Sequence, residues 1–85
     1  MVLNVAYFSW VRERMGVGDE TLDIPESVGD IGTLVAWLAA RDERGASAFA
    51  EPHRIRAAID GVMMGPDAPL SGAREVALFP PVTGG

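Results

Sequence analysis

The chain closes on Glu75-Val76-Ala77-Leu78-Phe79-Pro80-Pro81-Val82-Thr83-Gly84-Gly85. Glu75–Phe79 reads as a strand, apolar from Val76 on, and it meets two prolines with no spacer. Proline has no backbone N–H and holds φ near −65°, so Pro80-Pro81 ends sheet pairing and keeps the chain extended. Val82–Gly85 then spans at most roughly 13–14 Å at ~3.3–3.6 Å per residue. Two glycines leave no Cβ beside the last carbonyl and permit backbone shapes closed to other residues. A strand thus opens into a projecting arm whose end is the α-carboxylate of Gly85. The expectation is one domain over residues 1–85, with 80–85 as an extended functional tail.

Working outward, Val2–Phe8 alternates two largely apolar sets, the pattern of a strand covered on both faces. Val11–Met15 reads as a short helical turn closed by Gly16. Thr21–Ile24 puts Leu22 and Ile24 on one face, as a hairpin partner of the first strand, and Pro25 ends it. Ser27–Ala40 is the clearest helix. Ser27 and Asp30 resemble a capping box, Ile31, Leu34, Val35 and Leu38 form one stripe, Trp37 lies on its flank, and Gly45 reads as a stop. Gly29 and Gly32 weaken that helix by up to about 1 kcal/mol each relative to Ala, with no reason visible in the sequence. Ala46–His53 is irregular with at most a short helix. Ile55–Ile59 alternates as a strand, Asp60-Gly61 signals a hairpin turn, and Val62–Met64 returns from it.

The order is β–β–α–β–β with a short extra hairpin strand. It predicts an α+β fold of the β-grasp (ubiquitin-like) kind, a mixed sheet curled over one main helix, with the first and last strands parallel at its centre.

Composition narrows the chemistry. The 85 residues carry a net charge of −5, from 7 basic and 12 acidic side chains, which argues against nucleic acid as a partner. Cysteine is absent and His53 is the single histidine, so disulfides, thiol catalysis and a histidine metal cluster are not expected. No bound metal or cofactor is expected. No apolar run approaches a bilayer span, and the N-terminus lacks a basic leader; the expectation is a cytoplasmic protein with no membrane partner. All seven basic residues are arginine. Without lysine, no side-chain amine on this chain can attack an activated carboxylate, and no GxxxxGK[ST] phosphate loop can be completed. If Gly85 is to react, the chain is the substrate of an ATP-using enzyme and not that enzyme.

The string FPPVTGG preceded by EVAL resembles the C-terminus of the MoaD family, the small subunits of molybdopterin synthase. The first strand running into Val11-Arg12-Glu13-Arg14-Met15-Gly16, and Leu70-Ser71-Gly72 leading to Glu75-Val76, are similar to the same family. The likeness runs from Val2 to Gly85, although Ala46–Arg54 adds nothing to it. The resemblance implies a β-grasp fold and a sulfur carrier, not catalytic alone, within a sulfurtransferase complex. It implies that an adenylating enzyme similar to ubiquitin-activating enzymes forms a glycyl-adenylate at Gly85, an ATP-derived AMP being attached only transiently. Sulfur from a persulfide donor then replaces AMP and leaves a thiocarboxylate. The large subunit of the synthase takes up the tail, and the sulfur passes to cyclic pyranopterin monophosphate.

On this reading Gly85 is the reacting residue, Gly84 gives it passage, and Phe79, Pro80, Pro81, Val82 and Thr83 meet the partner. Phe79 either anchors the large subunit from an apolar patch beside the tail or packs on the sheet's second face. Arg12 and Arg74 either pair with a partner's acids or stay solvated. Asp19, Glu20, Asp23 and Glu26 read as a solvated edge, Met63-Met64 as core or hairpin rather than interface, and His53 as a loop residue. The alternatives are a carrier of the same chemistry serving thiamine, cysteine or thio-tRNA synthesis, a ubiquitin-like modifier that joins Gly85 to lysines of targets, and an interaction module with an inert tail.

Overall fold

A computed structural model of the chain describes residues 1–81. Five strands and three helices follow in the order β1 (Val2–Tyr7), α1 (Ser9–Met15), β2 (Asp19–Asp23), α2 (Ile31–Arg41), α3 (Glu43–Ala48), a 3-10 turn (Pro52–Arg54), β3 (Arg56–Ile59), β4 (Val62–Met64) and β5 (Glu75–Phe79). They form one mixed sheet in the order β2-β1-β5-β3-β4. β1 and β5 run parallel, with Val5 opposite Val76 and Tyr7 opposite Leu78. β2 is antiparallel to β1, and β3 is antiparallel to both β5 and β4. This is the expected β-grasp arrangement, with the last strand at the centre of the sheet.

The inner face of the sheet holds the core. Leu3, Val5 and Tyr7 of β1, Val76 and Leu78 of β5, and Ala57 of β3 pack with Ile31, Leu34, Val35 and Leu38 of α2. Val11 and Met15 of α1, with Ala48 and Phe49, close one end. The α2 stripe predicted from its spacing is the buried one, and Trp37 is partly buried at its edge. Gly16 ends α1 at φ 78°, in the left-handed region.

Four expectations need correction. The main helix starts at Ile31, one turn later than Ser27. Asp30 is its cap: Asp30 Oδ1 accepts from the Thr33 amide at 2.8 Å, and Thr33 Oγ1 accepts from the Asp30 amide at 3.1 Å. The chain ahead of the cap is held extended because Gly29 O accepts from the Leu70 amide and Asp30 bridges to Pro69. Gly32 has its reason here: its amide donates to Pro66 O at 2.9 Å, the same oxygen a Cβ would crowd at 3.4 Å.

Gly45 is not a stop. α2 ends at Arg41, Asp42 caps α3 by accepting from the Gly45 amide at 2.8 Å, and Gly45 is buried inside α3. A side chain there would collide with the Leu38 carbonyl. Met63 and Met64 are hairpin residues but not core, being 61% and 42% exposed on the edge strand β4.

The fourth correction matters most for function. β1 is not covered on both faces. Leu3, Val5 and Tyr7 are buried by the helical layer, whereas Val2 is 68% and Phe8 49% exposed on the other side. The expected apolarity of both faces is real; the second layer is missing among the described residues.

Candidate functional site

The root of the tail is held on both sides in the sheet. β5 lies between β1 and β3, and Val76 and Leu78 are both fully buried. Two outside contacts lock its ends. At the tail end, Leu78 O accepts from the Phe8 amide at 3.1 Å. At the start, the Asp60 carboxylate accepts from the Glu75 amide at 2.9 Å and the Arg74 amide at 3.1 Å, while the Asp60 amide donates to Glu75 O at 3.0 Å. Asp60 also sits at φ 48° in the hairpin turn it shares with Gly61 at φ 84°. Asp tolerates that left-handed geometry better than most residues. One residue thus makes the β3–β4 turn and fixes where β5 begins.

Phe79, Pro80 and Pro81 follow at the end of β5, each partly buried. Phe79 points to the outer face with Ala77, opposite Val76 and Leu78, and pairs across the ladder with Arg56. Of the tail residues read from the sequence, these three are placed; Val82, Thr83, Gly84 and Gly85 lie outside the described residues.

The outer face beside this root has a clear gradient. At the start of β5 it is polar: Asn4 and Glu75 are register partners, and Asn4 Nδ2 donates to Glu75 Oε2 at 3.0 Å. Toward the tail it turns apolar and flat. Ala6, Ala77 and Ala58 are cross-strand neighbours in three adjacent strands, and Met63 continues the row on β4. Phe8 and Phe79 rise at the tail end. Small side chains in the middle and large exposed ones around it make a surface that another protein can cover.

Under the inner face of the sheet a partly buried polar chain sits behind the same end of β1. Tyr7 Oη donates to Glu20 Oε2 at 2.7 Å, and Arg41 Nη2 donates to the same oxygen at 2.8 Å. Burial would raise the Glu20 carboxyl, but the hydrogen bonds from Arg41 and Tyr7 and the Arg41 charge outweigh it and hold the group below the ordinary carboxylate range. Burial, reinforced by the bond to Glu20, pushes the Tyr7 phenol well above its usual value. Glu20 therefore leaves the solvated edge to which its sequence neighbours Asp19 and Asp23 belong; it joins β2 to β1 and α2. The Arg41 Nε–H is buried without a hydrogen-bond partner, 3.6 Å from Asp42 Oδ2.

His53 is exposed in the 3-10 turn, as read from the sequence. A cavity of about 350 Å³ between α2, the 3-10 turn and the β3–β4 hairpin is lined by apolar residues such as Ile31, Val35, Ile55 and Met64, with His53 and Arg56. The N-terminus of α2 is closed, because the Ile31 and Gly32 amides donate to Ala68 and Pro66 carbonyls. No cluster of His, Asp or Glu among the described residues could hold a metal ion. None of their helices is long and apolar enough to cross a membrane. What the described residues offer is a root held between two strands and an open apolar face beside it.

Reading residues one at a time missed Asp60 as the clamp on β5 and missed the alanine row. The Asp-Gly pair signals a turn and nothing more. Ala6, Ala58 and Ala77 become one surface only through the register.

The family model described as the ThiS family matches residues 5–85. The molybdopterin synthase sulfur carrier subunit of Escherichia coli (strain K12) is 34% identical over 84 residues, covering 99% of this chain and 100% of that protein. Its counterpart of the same name from Haemophilus influenzae is 30% identical over 84 residues, with 99% and 100% covered. Among solved structures, a putative molybdopterin converting factor, subunit 1, from Pyrococcus furiosus superposes with a TM-score of 0.72 at 22% identity. It covers 96% of this chain and 99% of that one, and at that identity the likeness speaks for the fold alone.

Proposed function

The chain belongs to the ThiS family, and we propose that it is the sulfur-carrier small subunit of a molybdopterin synthase. The observation that carries this reading is the match to sulfur-carrier subunits along essentially the whole of both chains, with the family match running through Gly85. The described geometry supports it: the central strand β5 runs into Pro80 and Pro81 next to an uncovered apolar face.

The proposed cycle starts with the Gly85 carboxylate, a poor electrophile at neutral pH. An adenylating enzyme transfers AMP from ATP to it and releases pyrophosphate. The terminal sulfur of a persulfide donor displaces AMP, and a thiol cleaves the resulting acyl disulfide to free the thiocarboxylate. The charged carrier then docks its outer sheet face on the large subunit, with Phe79, Pro80 and Pro81 leading Val82–Gly85 into that subunit's site. There the sulfur goes to cyclic pyranopterin monophosphate, and Gly85 returns as a carboxylate. A terminal carbonyl does this work in a chain without cysteine. Without lysine, no side chain of the carrier competes as an amine nucleophile for the activated carbonyl.

The deciding experiment is intact-mass analysis before and after incubation with ATP, the adenylating enzyme and a sulfur donor. One oxygen of the last peptide is expected to be replaced by sulfur, and deletion of Gly85 is expected to abolish this while leaving the unfolding temperature unchanged. A Gly85 that stays a plain carboxylate under these conditions overturns the reading. Carriers serving thiamine, cysteine or thio-tRNA synthesis share the same end chemistry; co-purification with a large synthase subunit separates them from the present assignment.

A further inference from the structure

We propose that arginines around the root of the tail form a collar that recognises carboxylates on the protein taking up the tail. The inference rests on the carrier reading above and adds to it the chemistry of the partner's rim.

The collar is built from two segments that the fold brings to either side of Phe79. On one side, Phe8 donates its amide to Leu78 O and caps α1, and Trp10 follows in the first turn of that helix. On the other, Arg56 is the ladder partner of Phe79, and Arg54 lies two residues before it. The two sides meet: the Arg54 guanidinium stands 5.6 Å from the centroid of the Trp10 ring, and that of Arg14 stands 4.5 Å from the same ring. Cations held over an indole face lose less freedom on binding than free ones and keep their charge for a further partner.

These guanidinium groups are under-used. Arg14 Nη1 donates to Ser47 O, Arg56 Nη1 donates to the His53 and Ile55 carbonyls, and Arg54 Nη1 donates to Glu51. Nε and Nη2 of all three make no hydrogen bond among the described residues. Arg54 and Glu51, 3.2 Å apart, are both more than half exposed, so their pair is weak and exchangeable. Three cations against one paired carboxylate make a local excess of positive charge in a chain whose net charge is −5.

Carboxylates fit this collar better than nucleotide phosphates because of where it lies. The adenylation chemistry belongs to Gly85, four residues beyond Pro81, whereas the collar surrounds Phe79. Whatever meets it is the rim of the protein that admits the tail. Planar guanidinium edges bind carboxylates two-pronged, and charges at an interface rim act mainly on association rate and specificity.

The test is the full-length double variant Arg54→Glu with Arg56→Glu, beside Arg54→Lys with Arg56→Lys, in pyrophosphate exchange with the adenylating enzyme and in sulfur transfer with the large subunit. The Glu variant is expected to raise the half-saturating carrier concentration about tenfold or more in at least one assay, with the maximal rate kept, in line with the behaviour of rim charges. The Lys variant keeps the charge but cannot bind a carboxylate two-pronged, so its half-saturation is expected to fall between those of wild type and the Glu variant, and the wild-type advantage is expected to shrink as salt rises. Wild-type half-saturation by the Glu variant in both assays overturns the collar while leaving the carrier reading intact. A raised half-saturation for ATP rather than for carrier overturns it in favour of a phosphate site. Failure of the wild-type chain to be adenylated at all instead removes the carrier reading, and the collar with it.

Discussion

Asp60 shows how much one side chain can decide. Its backbone makes a left-handed turn, and its carboxylate caps two amides at the start of the central strand. Asp60→Ala loses both acceptor bonds and leaves a less suitable residue at positive φ. A destabilisation of about 1–3 kcal/mol is expected from the loss of charge-assisted bonds at a partly solvated site. Asp60→Asn keeps an acceptor oxygen and the tolerance for positive φ, so it is expected to cost less than half as much. Urea unfolding of the three proteins measures this; equal losses in the two variants would mean that the charge, not the turn, carries the effect. Gly45 is the converse case, a position where absence of a side chain lets α3 pack against the end of α2. The sequence marked both residues as turn or stop signals. Their second roles were not legible, because the atoms they meet are distant in the chain or depend on how two helices dock.

At the scale of elements, the Tyr7–Glu20–Arg41 chain couples β1, β2 and α2, and its titration gives a stability profile with two limbs. Glu20 has a folded pKa below its unfolded value of about 4.3. Its contribution is therefore full above that value and is lost as pH falls through the folded pKa. Tyr7 has a folded pKa above its unfolded value of about 10. Its contribution is full below about 10 and is lost as pH rises beyond it. Thermal unfolding is expected to be flat between about pH 5 and 9 and to fall on either side. Tyr7→Phe should make the alkaline limb shallower, and Glu20→Gln the acid limb. An alkaline limb identical in Tyr7→Phe and wild type would show that the phenol does not report on this chain. The shift of the α2 start from Ser27 to Asp30 belongs to this scale too: Asp30 and Thr33 cap reciprocally, and the 66–70 segment holds residues 29–30 extended.

For the whole molecule, the helices share one side of the sheet, and β5 reaches Pro80 and Pro81 beside Phe79 on the bare side. On the proposed docking of that face, Phe8 and Phe79, with Ala6 and Ala77 between them, meet the large subunit. Phe8→Asp is expected to leave the unfolding free energy within about 0.5 kcal/mol, the range for surface substitutions. It is expected to weaken binding to the large subunit at least tenfold, as loss of an aromatic anchor can. Titration calorimetry and denaturation together check this. A variant that binds as wild type would place the interface elsewhere.

The fold class was legible because periodicity and turn residues act locally. The alternation of Val2–Phe8, the α2 stripe and the Asp60-Gly61 turn each depend on near neighbours, and together they leave few topologies. The end of the last strand at Pro80-Pro81 was legible for the same reason, since a strand and two prolines act in series along the chain. Which apolar face would stay bare was decided only by the tertiary structure. Apolar residues on both faces of β1 and β5 read alike until the helices choose a side. The register then sets three alanines in a row, and the fold joins Trp10 to Arg54 around the root of the tail. Burial and charge pairing across long chain separations are properties of the packed molecule, and no local pattern encodes them.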